Sequence, residues 1–232
     1  MRIGIFSDIH GNYYAFEKIY EELMRQKCDR YIFCGDICGY YFSQNEVIDR
    51  LLEIPNLVAV AGNHDRIFLK CLDDERLLMD YTAKYGKSMA HLKKNISTRS
   101  LAFLENLPDH YIDEALGLAV FHGSPWDYYD GYVYPADDLN KFTSLPYKYI
   151  ILGHTHYPMA RKIQNTCVIN PGSSGQPRDG RAPSLGILDL KKDEVEIKRI
   201  SYDVEALIKD VHKYDVEHPY LINVLQRSMQ LS

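Results

Sequence analysis

Five short apolar runs in this chain stop at residues that can hold a metal ion or a proton. Arg2–Phe6 runs into Ser7-Asp8-Ile9-His10, and Arg30–Cys34 ends in Gly35-Asp36. Leu57–Val60 leads to Gly62-Asn63-His64-Asp65, Leu118–Phe121 to His122-Gly123-Ser124-Pro125, and Tyr149–Leu152 to Gly153-His154-Thr155-His156. Side chains at i and i+2 of an extended segment point to the same side. Asp8 and His10 therefore leave their strand together, as a metal pair requires. Taken singly, each ending has a bland origin: Gly-Asp is a frequent strand exit, Gly-Asn-His-Asp is a plausible turn, and a lone histidine is usually a hydrogen-bonded polar residue. Taken together they do not. Five of the nine histidines fall at these ends, whereas His91, His110, His212 and His218 do not. Turn chemistry by itself selects Gly, Asn, Asp and Ser over repeated histidine.

The pattern between these endings says what positions them. After Gly11, Phe16, Ile19, Tyr20 and Leu23 recur at helical spacing with Glu17, Lys18, Glu21 and Glu22 between them, which predicts an amphipathic helix of about 14 residues. A second helix is predicted over Gln44–Leu52, broken by Pro55-Asn56. Strands alternating with helices argue for βαβ units and a parallel sheet, whose ligands sit at the carboxyl ends of the strands. From Arg66 to Leu107 the chain reads helical, with Leu72, Leu77, Leu78, Met79, Met89, Leu92, Leu101 and Leu104 as candidate core and Ser97 as an N-cap. Tyr111-Ile112 and Leu118–Phe121 form a predicted hairpin, and Pro135–Phe142 a short helix. Short strands without intervening helices follow: Met159–Ile163, Cys167–Ile169, Ser184–Leu190 and Val195–Ile200. Asp203–Lys213 and Pro219–Met229 close the chain as helices. No linker, repeat or low-complexity segment interrupts it, so residues 1–232 are read as one domain.

Bulk composition narrows the partners. With 27 basic and 32 acidic residues the net charge is −5, and no basic block offers a nucleic-acid backbone a counterpart. An anionic substrate must be attracted by something positive within the site. No stretch approaches the roughly 20 apolar residues of a membrane span, and Asp8 and His10 interrupt any signal-peptide core. Cys28, Cys34, Cys38, Cys71 and Cys167 are odd in number and irregular in spacing, which points to free thiols in a reducing cytoplasm. Cys34 and Cys38 bracket Asp36, but their apolar setting reads as buried thiol rather than metal ligand. The nineteen tyrosines are spread along the chain as half-buried packing residues.

The order Asp-x-His, Gly-Asp, Gly-Asn-His, His, Gly-His-x-His resembles the calcineurin-like metallophosphoesterase superfamily, from Asp8 to about Arg181. Gly35-Asp36-Ile37-Cys38-Gly39-Tyr40, Asn45-Glu46, NPGSSGQPRDGRAPS from Asn170 to Ser184, and Tyr202-Asp203-Val204-Glu205 resemble its small bacterial phosphoesterase and phosphodiesterase branch. One departure is Tyr41-Phe42-Ser43-Gln44, where related sequences carry glycine, proline and an acid; it bears on substrate preference more than on chemistry. The resemblance implies an α/β fold, a four-layer α/β/β/α sandwich of two mixed sheets flanked by helices. It implies one metal held by Asp8, His10 and His156, another by Asn63, His122 and His154, and Asp36 bridging both. A carboxylate is the side chain able to bridge two cations roughly 3.5–4 Å apart. Imidazole and oxygen donors without thiolate suit two divalent transition metals such as manganese, iron, zinc, nickel or cobalt better than calcium.

The implied reaction is hydrolysis of phosphodiesters or small phosphomonoesters by water acidified between the metals. His64, by the same resemblance, is catalytic rather than a ligand, a general acid or a transition-state stabiliser. Asp65 either orients it or serves the turn. Asn12, beside the Asp-x-His turn, and Arg178, in the glycine-rich loop, are candidate phosphate contacts, with helix capping as the rival role for Asn12. The aromatic loop Trp126–Tyr134 is read as a stacking surface for a base, as plain packing, or as a homo-oligomer contact. Two other readings are a phosphoesterase-fold binding scaffold, which would show altered ligand positions, and a nuclease, which the acidic charge disfavours.

Overall fold

The computed structural model describes residues 1–229. Two five-stranded mixed sheets form its centre. In the first, β1 (Arg2–Phe6) pairs in parallel with β2 (Arg30–Phe33), which pairs in parallel with β3 (Leu57–Ala59). Helices α1 (Tyr13–Gln26) and α2 (Gln44–Leu51) make the crossovers. The second sheet holds β4 (His110–Asp113), β5 (Leu118–Phe121), β6 (Tyr149–Ile151), β7 (Met159–Ile163) and β8 (Thr166–Asn170) in the order β4-β5-β6-β8-β7. The strands expected to close a β-rich second half divide between the sheets. β9 (Ser184–Asp189) and β10 (Glu194–Arg199) return to the first, where β9 lies antiparallel to β1.

Alternation along the strands builds the layers. Ile3 and Ile5 of β1 pack with Ile32, Leu118, Val120, Tyr149, Ile151 and Ile169 in the seam between the sheets. Phe6 and Phe33 belong to the cluster that also holds Phe16, Ile19 and Leu23 of α1. Each fully buried side chain of this kind contributes about 1.5–3 kcal/mol. Helices α3 (Asn63–Cys71), α4 (Glu75–Tyr85), α5 (Ser88–Asn95) and α6 (Thr98–Glu105) fill the span read as helical. Ser97 caps α6, its hydroxyl accepting from Ser100 N at 3.0 Å. Met79, expected in the core, is 70% exposed, because α4 buries Leu78 and Tyr81 and position 79 falls outside that face.

The outer face of the second sheet is covered by Leu139, Phe142 and Val133. The helix expected over Pro135–Phe142 is only a 3₁₀ turn at Asn140–Ser144. Side chains of Asp137 and Asp138 accept from the main-chain N–H groups of Tyr134 and Asn140, an alternative to helical hydrogen bonding that short acids favour. The departure at Tyr41-Phe42 also has a structural reason. Both rings are buried against Leu207 and Val211 of α7 (Val204–Tyr214) and Leu221 of α8 (Tyr220–Met229), and the Tyr41 hydroxyl donates to Leu221 O at 3.2 Å.

Candidate metal centre and active site

The strand ends converge where the two sheets meet, and the backbone there is unusual. Among ten non-glycine residues with positive φ, five are expected ligands: Asp8 at 55°, His10 at 53°, Asp36 at 68°, His154 at 67° and His156 at 63°. Such a left-handed conformation costs an L-residue about 1–2 kcal/mol, so it persists only where surrounding contacts impose it. Those contacts are visible. Asp8 N donates to Gly35 O at 2.9 Å, and Ile9 N to Asp36 O at 2.9 Å. The loop Asn170–Gln176 straps the first turn from the other side: Ser174 N donates to Ser7 O at 2.8 Å, Gly175 N to Asp8 O at 3.1 Å, and Ser173 Oγ to Asp8 O at 2.7 Å.

Asp65 holds the second turn. Its buried carboxylate accepts from Asp36 N, Ile37 N, Cys38 N and Gly62 N at 2.9–3.0 Å, which ties the Asp36 loop to the start of α3. These four groups occupy both its oxygens, which places Asp65 in the turn rather than against the His64 ring. Glycine is needed at 62, where a Cβ would stand 2.0 Å from Asp36 Oδ1. That oxygen accepts from His64 N at 2.9 Å, leaving Oδ2 for the cluster.

All seven expected ligands come together. Asp8, His10 and His156 offer donor atoms within 4.8 Å of one another, as do Asp36, His122 and His154. Asp36 Oδ2 lies 3.7 Å from His10 Nε2 and 3.3 Å from His122 Nε2, between the two groups. Asn63 Oδ1 lies 3.2 Å from His122 Nε2. Its amide nitrogen donates to Asp130 Oδ1 at 3.2 Å, which turns the carbonyl oxygen towards the cluster.

The imidazoles' second nitrogens decide whether this arrangement suits metal ions. His10, His122 and His156 each place Nδ1 2.6–2.8 Å from a main-chain carbonyl, those of Cys38, Cys34 and Gln176. A carbonyl only accepts, so Nδ1 carries the proton and Nε2 of the neutral ring carries a lone pair. His10 Nε2 and His156 Nε2 then face each other at 3.1 Å with no proton between them. His122 Nε2 faces the Asn63 carbonyl and Asp36 carboxylate oxygens, a place that a proton fills in the metal-free protein and that a cation would take over. His154 Nε2 is buried without a partner among the described residues. Lone pairs packed against lone pairs in a buried site are what divalent cations satisfy, and outer hydrogen bonds of this kind orient histidine ligands.

Protonation follows burial and neighbours. Burial pushes Asp36 up, to about 7. Burial lowers His122, but the facing Asp36 carboxylate outweighs it and holds the imidazole at about 10. Burial, then His122, brings His154 down to about 3. Burial raises Asp8, but the neighbouring imidazoles, His156 first, pull it below its ordinary value.

His64 lies on the first turn of α3 beside the cluster, its ring 5.0 Å from that of His10. Its Nδ1 meets the hydroxyl of Tyr81 at 2.6 Å. The rings of Tyr40 and Tyr85 stand 5.1 and 5.8 Å from it. Tyr132, 54% exposed, lies 4.3 Å from the His154 ring. Arg178 Nη2 donates to the Tyr40 hydroxyl at 3.1 Å, Nε is buried without a partner among the described residues, and the guanidinium adds to the lowering of His64, His154 and His156 after burial. Asn12 has no donor left for a phosphate. Its Oδ1 caps α1 by accepting from Ala15 N, and its amide nitrogen donates to Gly175 O and Tyr202 Oη. Within the loop Trp126–Tyr134, Trp126 packs edge-on against Phe142 and Tyr128 against Phe121. Tyr81, Tyr40 and Asp130 carried no metal-type spacing; only the shared helical face of Leu78, Tyr81 and Tyr85 hinted that Tyr81 pointed inward.

Residues 1–193 match a calcineurin-like phosphoesterase superfamily domain. The chain is 32% identical over 237 residues to "Uncharacterized protein MJ0912" of Methanocaldococcus jannaschii, covering 91% of this chain and 92% of that protein. It is 24% identical over 201 residues to "Phosphodiesterase MJ0936" of the same organism, covering 84% and 96%. The crystal structure of a metallophosphoesterase from Sphaerobacter thermophilus superposes with a TM-score of 0.80 at 27% identity, covering 98% of this chain and 100% of that one. With the family model matching most of its length, this chain belongs to the calcineurin-like phosphoesterase superfamily.

Proposed function

We propose that this protein hydrolyses small phosphodiesters or phosphomonoesters at a two-metal centre. The observation that carries the reading is the set of imidazole lone pairs turned on one another and on carboxylates, with every opposite nitrogen of His10, His122 and His156 fixed by a carbonyl. Asp8, His10 and His156 would hold one divalent transition-metal ion and Asn63, His122 and His154 the other, with Asp36 shared. Bound there, such ions supply Lewis acidity to water and to phosphoryl oxygens. Two carboxylates against two divalent cations leave this centre positive within an acidic chain, which favours an anionic substrate.

The chain's own residues position and assist. Asp36 is fixed through Oδ1 by His64 N, and Asn63 is turned by Asp130. Arg178 would bind a phosphoryl oxygen through the donor it leaves unpaired. His64, beside the cluster but outside it, would stabilise the leaving oxygen, a contribution of typically 10²–10⁴-fold. The five cysteines are free thiols, which fits a cytoplasmic setting, and no helix among the described residues is long and apolar enough to cross a membrane.

The test is metal analysis of freshly purified protein, coupled to a panel of phosphate mono- and diesters with manganese, iron, zinc, nickel and cobalt. About two metal ions per chain and turnover of a small ester are expected. A filled site that turns over no ester with any of these metals would sink the reading.

A further inference from the structure

Tyr81 offers His64 something that the ligand histidines do not receive. Where His10, His122 and His156 meet a carbonyl at Nδ1, His64 meets a phenol, at 2.6 Å. Both partners are buried, Tyr81 at 4% and His64 at 8% exposure. A phenol has one proton to give. Among the described residues the Tyr81 hydroxyl makes no other hydrogen bond. Were Nδ1 protonated, it would donate to the phenol oxygen, and the buried phenol proton would then lack an acceptor, at a cost of about 1–3 kcal/mol. With the phenol donating, both groups are satisfied. Burial also holds the Tyr81 phenol well above its ordinary value, so it keeps that proton.

We propose that Tyr81 is a positioning residue that fixes His64 as the Nε2–H tautomer, so that His64 presents an N–H, not a lone pair, to the phosphoester's leaving oxygen. The inference rests on the phosphoesterase reading for its consequence but not for its geometry. The two tautomers then divide the imidazoles by job. Carbonyl-backed rings expose Nε2 as a ligand, and the phenol-backed ring exposes Nε2–H as a donor. A neutral imidazole gives a hydrogen bond and keeps its proton, so His64 stabilises charge on the departing oxygen while the P–O bond breaks. That oxygen takes its proton from water.

The experiment uses the full chain, labelled with ¹⁵N-histidine and loaded with zinc, which is diamagnetic. Long-range ¹H–¹⁵N correlation separates the tautomers, and the His64 signals are those missing from His64→Gln. The wild type is expected to show the Nε2–H pattern, and Tyr81→Phe a mixture with Nδ1–H. In turnover, Tyr81→Phe is expected to lower kcat roughly 5- to 10-fold on an alkyl phosphoester, the worth of one hydrogen bond. It should leave KM unchanged and alter hydrolysis of a p-nitrophenyl ester, whose leaving group needs little help, far less. An Nδ1–H pattern in the wild type overturns the proposal, as does an unchanged tautomer or an equal loss on both esters in Tyr81→Phe. If that variant misfolds, the wild-type spectrum decides alone. Absence of turnover in the wild type would defeat the phosphoesterase reading and leave the tautomer measurement standing.

Discussion

His10, His122 and His156 commit Nδ1 to main-chain carbonyls, whereas His64, at the edge of the same cluster, is surrounded by Tyr40, Tyr81 and Tyr85. The first region is held by backbone in strained conformations and has little room to vary. The second is held by side chains from loops and from α4, with exposed Tyr132 and partly buried Arg178 near its border. Backbone-held side chains fix the geometry of the candidate metal cluster; the side-chain wall can change with few consequences for it. Substrate choice in this chain is therefore expected to reside in the tyrosine-lined region, as loop-borne specificity generally does on a rigid scaffold.

Substitutions on each side of this divide should separate cleanly. Asp36→Ala removes the one side chain placed between both ligand groups. It is expected to lose bound metal and to lower turnover by on the order of 10³-fold or more; elemental analysis beside a rate assay checks both. His64→Ala should keep both metals and lose about 10²–10⁴-fold in turnover. Loss of metal from that variant would erase the distinction between the two regions. Asp65→Ala leaves four buried N–H groups unpaired beneath the candidate ligands, each at about 1–3 kcal/mol, and is expected to destabilise the fold by roughly 4 kcal/mol or more. A denaturation midpoint matching the wild type would show that the Asp36 turn needs no such clamp.

The smallest effect is graded. The Asp36 carboxylate overcomes burial to hold His122 at about 10, so in the metal-free protein this imidazole is protonated at neutral pH. A metal must displace that proton, and apparent affinity should rise with pH, by roughly tenfold per unit between pH 7 and 9. Below about 7 Asp36 gains a proton as well, and the slope steepens. Competition with a chelator of known pH dependence measures it; an affinity that does not vary with pH would mean that His122 is already neutral.

The candidate metal-binding cluster was legible because its chemistry sits at strand ends in unusual residue types, and a parallel sheet gathers such ends whatever the loops between them do. Tyr81 was not legible: in a helix, an inward tyrosine at the spacing of Leu78 looks like packing. Asn12 admitted two readings, since a residue beside a metal turn looks functional; of the two, the structure shows the helix cap, with its amide nitrogen fastened to Gly175. The return of β9 to β1 was hidden because nothing local in Ser184–Asp189 says which sheet it joins.

The strap of Ser173, Ser174 and Gly175 over Ser7 and Asp8 has a temporal meaning. The first turn is translated early and its braces late. At about 5–20 residues per second, β1 waits on the order of 10–30 s for them to leave the ribosome. For most of that interval Asp8 and His10 lack His156, and throughout it nothing holds Asp8 in its left-handed conformation from the strap side. Assembly of the candidate centre is thus an event of the later part of the chain, and a nascent fragment ending before His154 lacks side chains of both ligand groups.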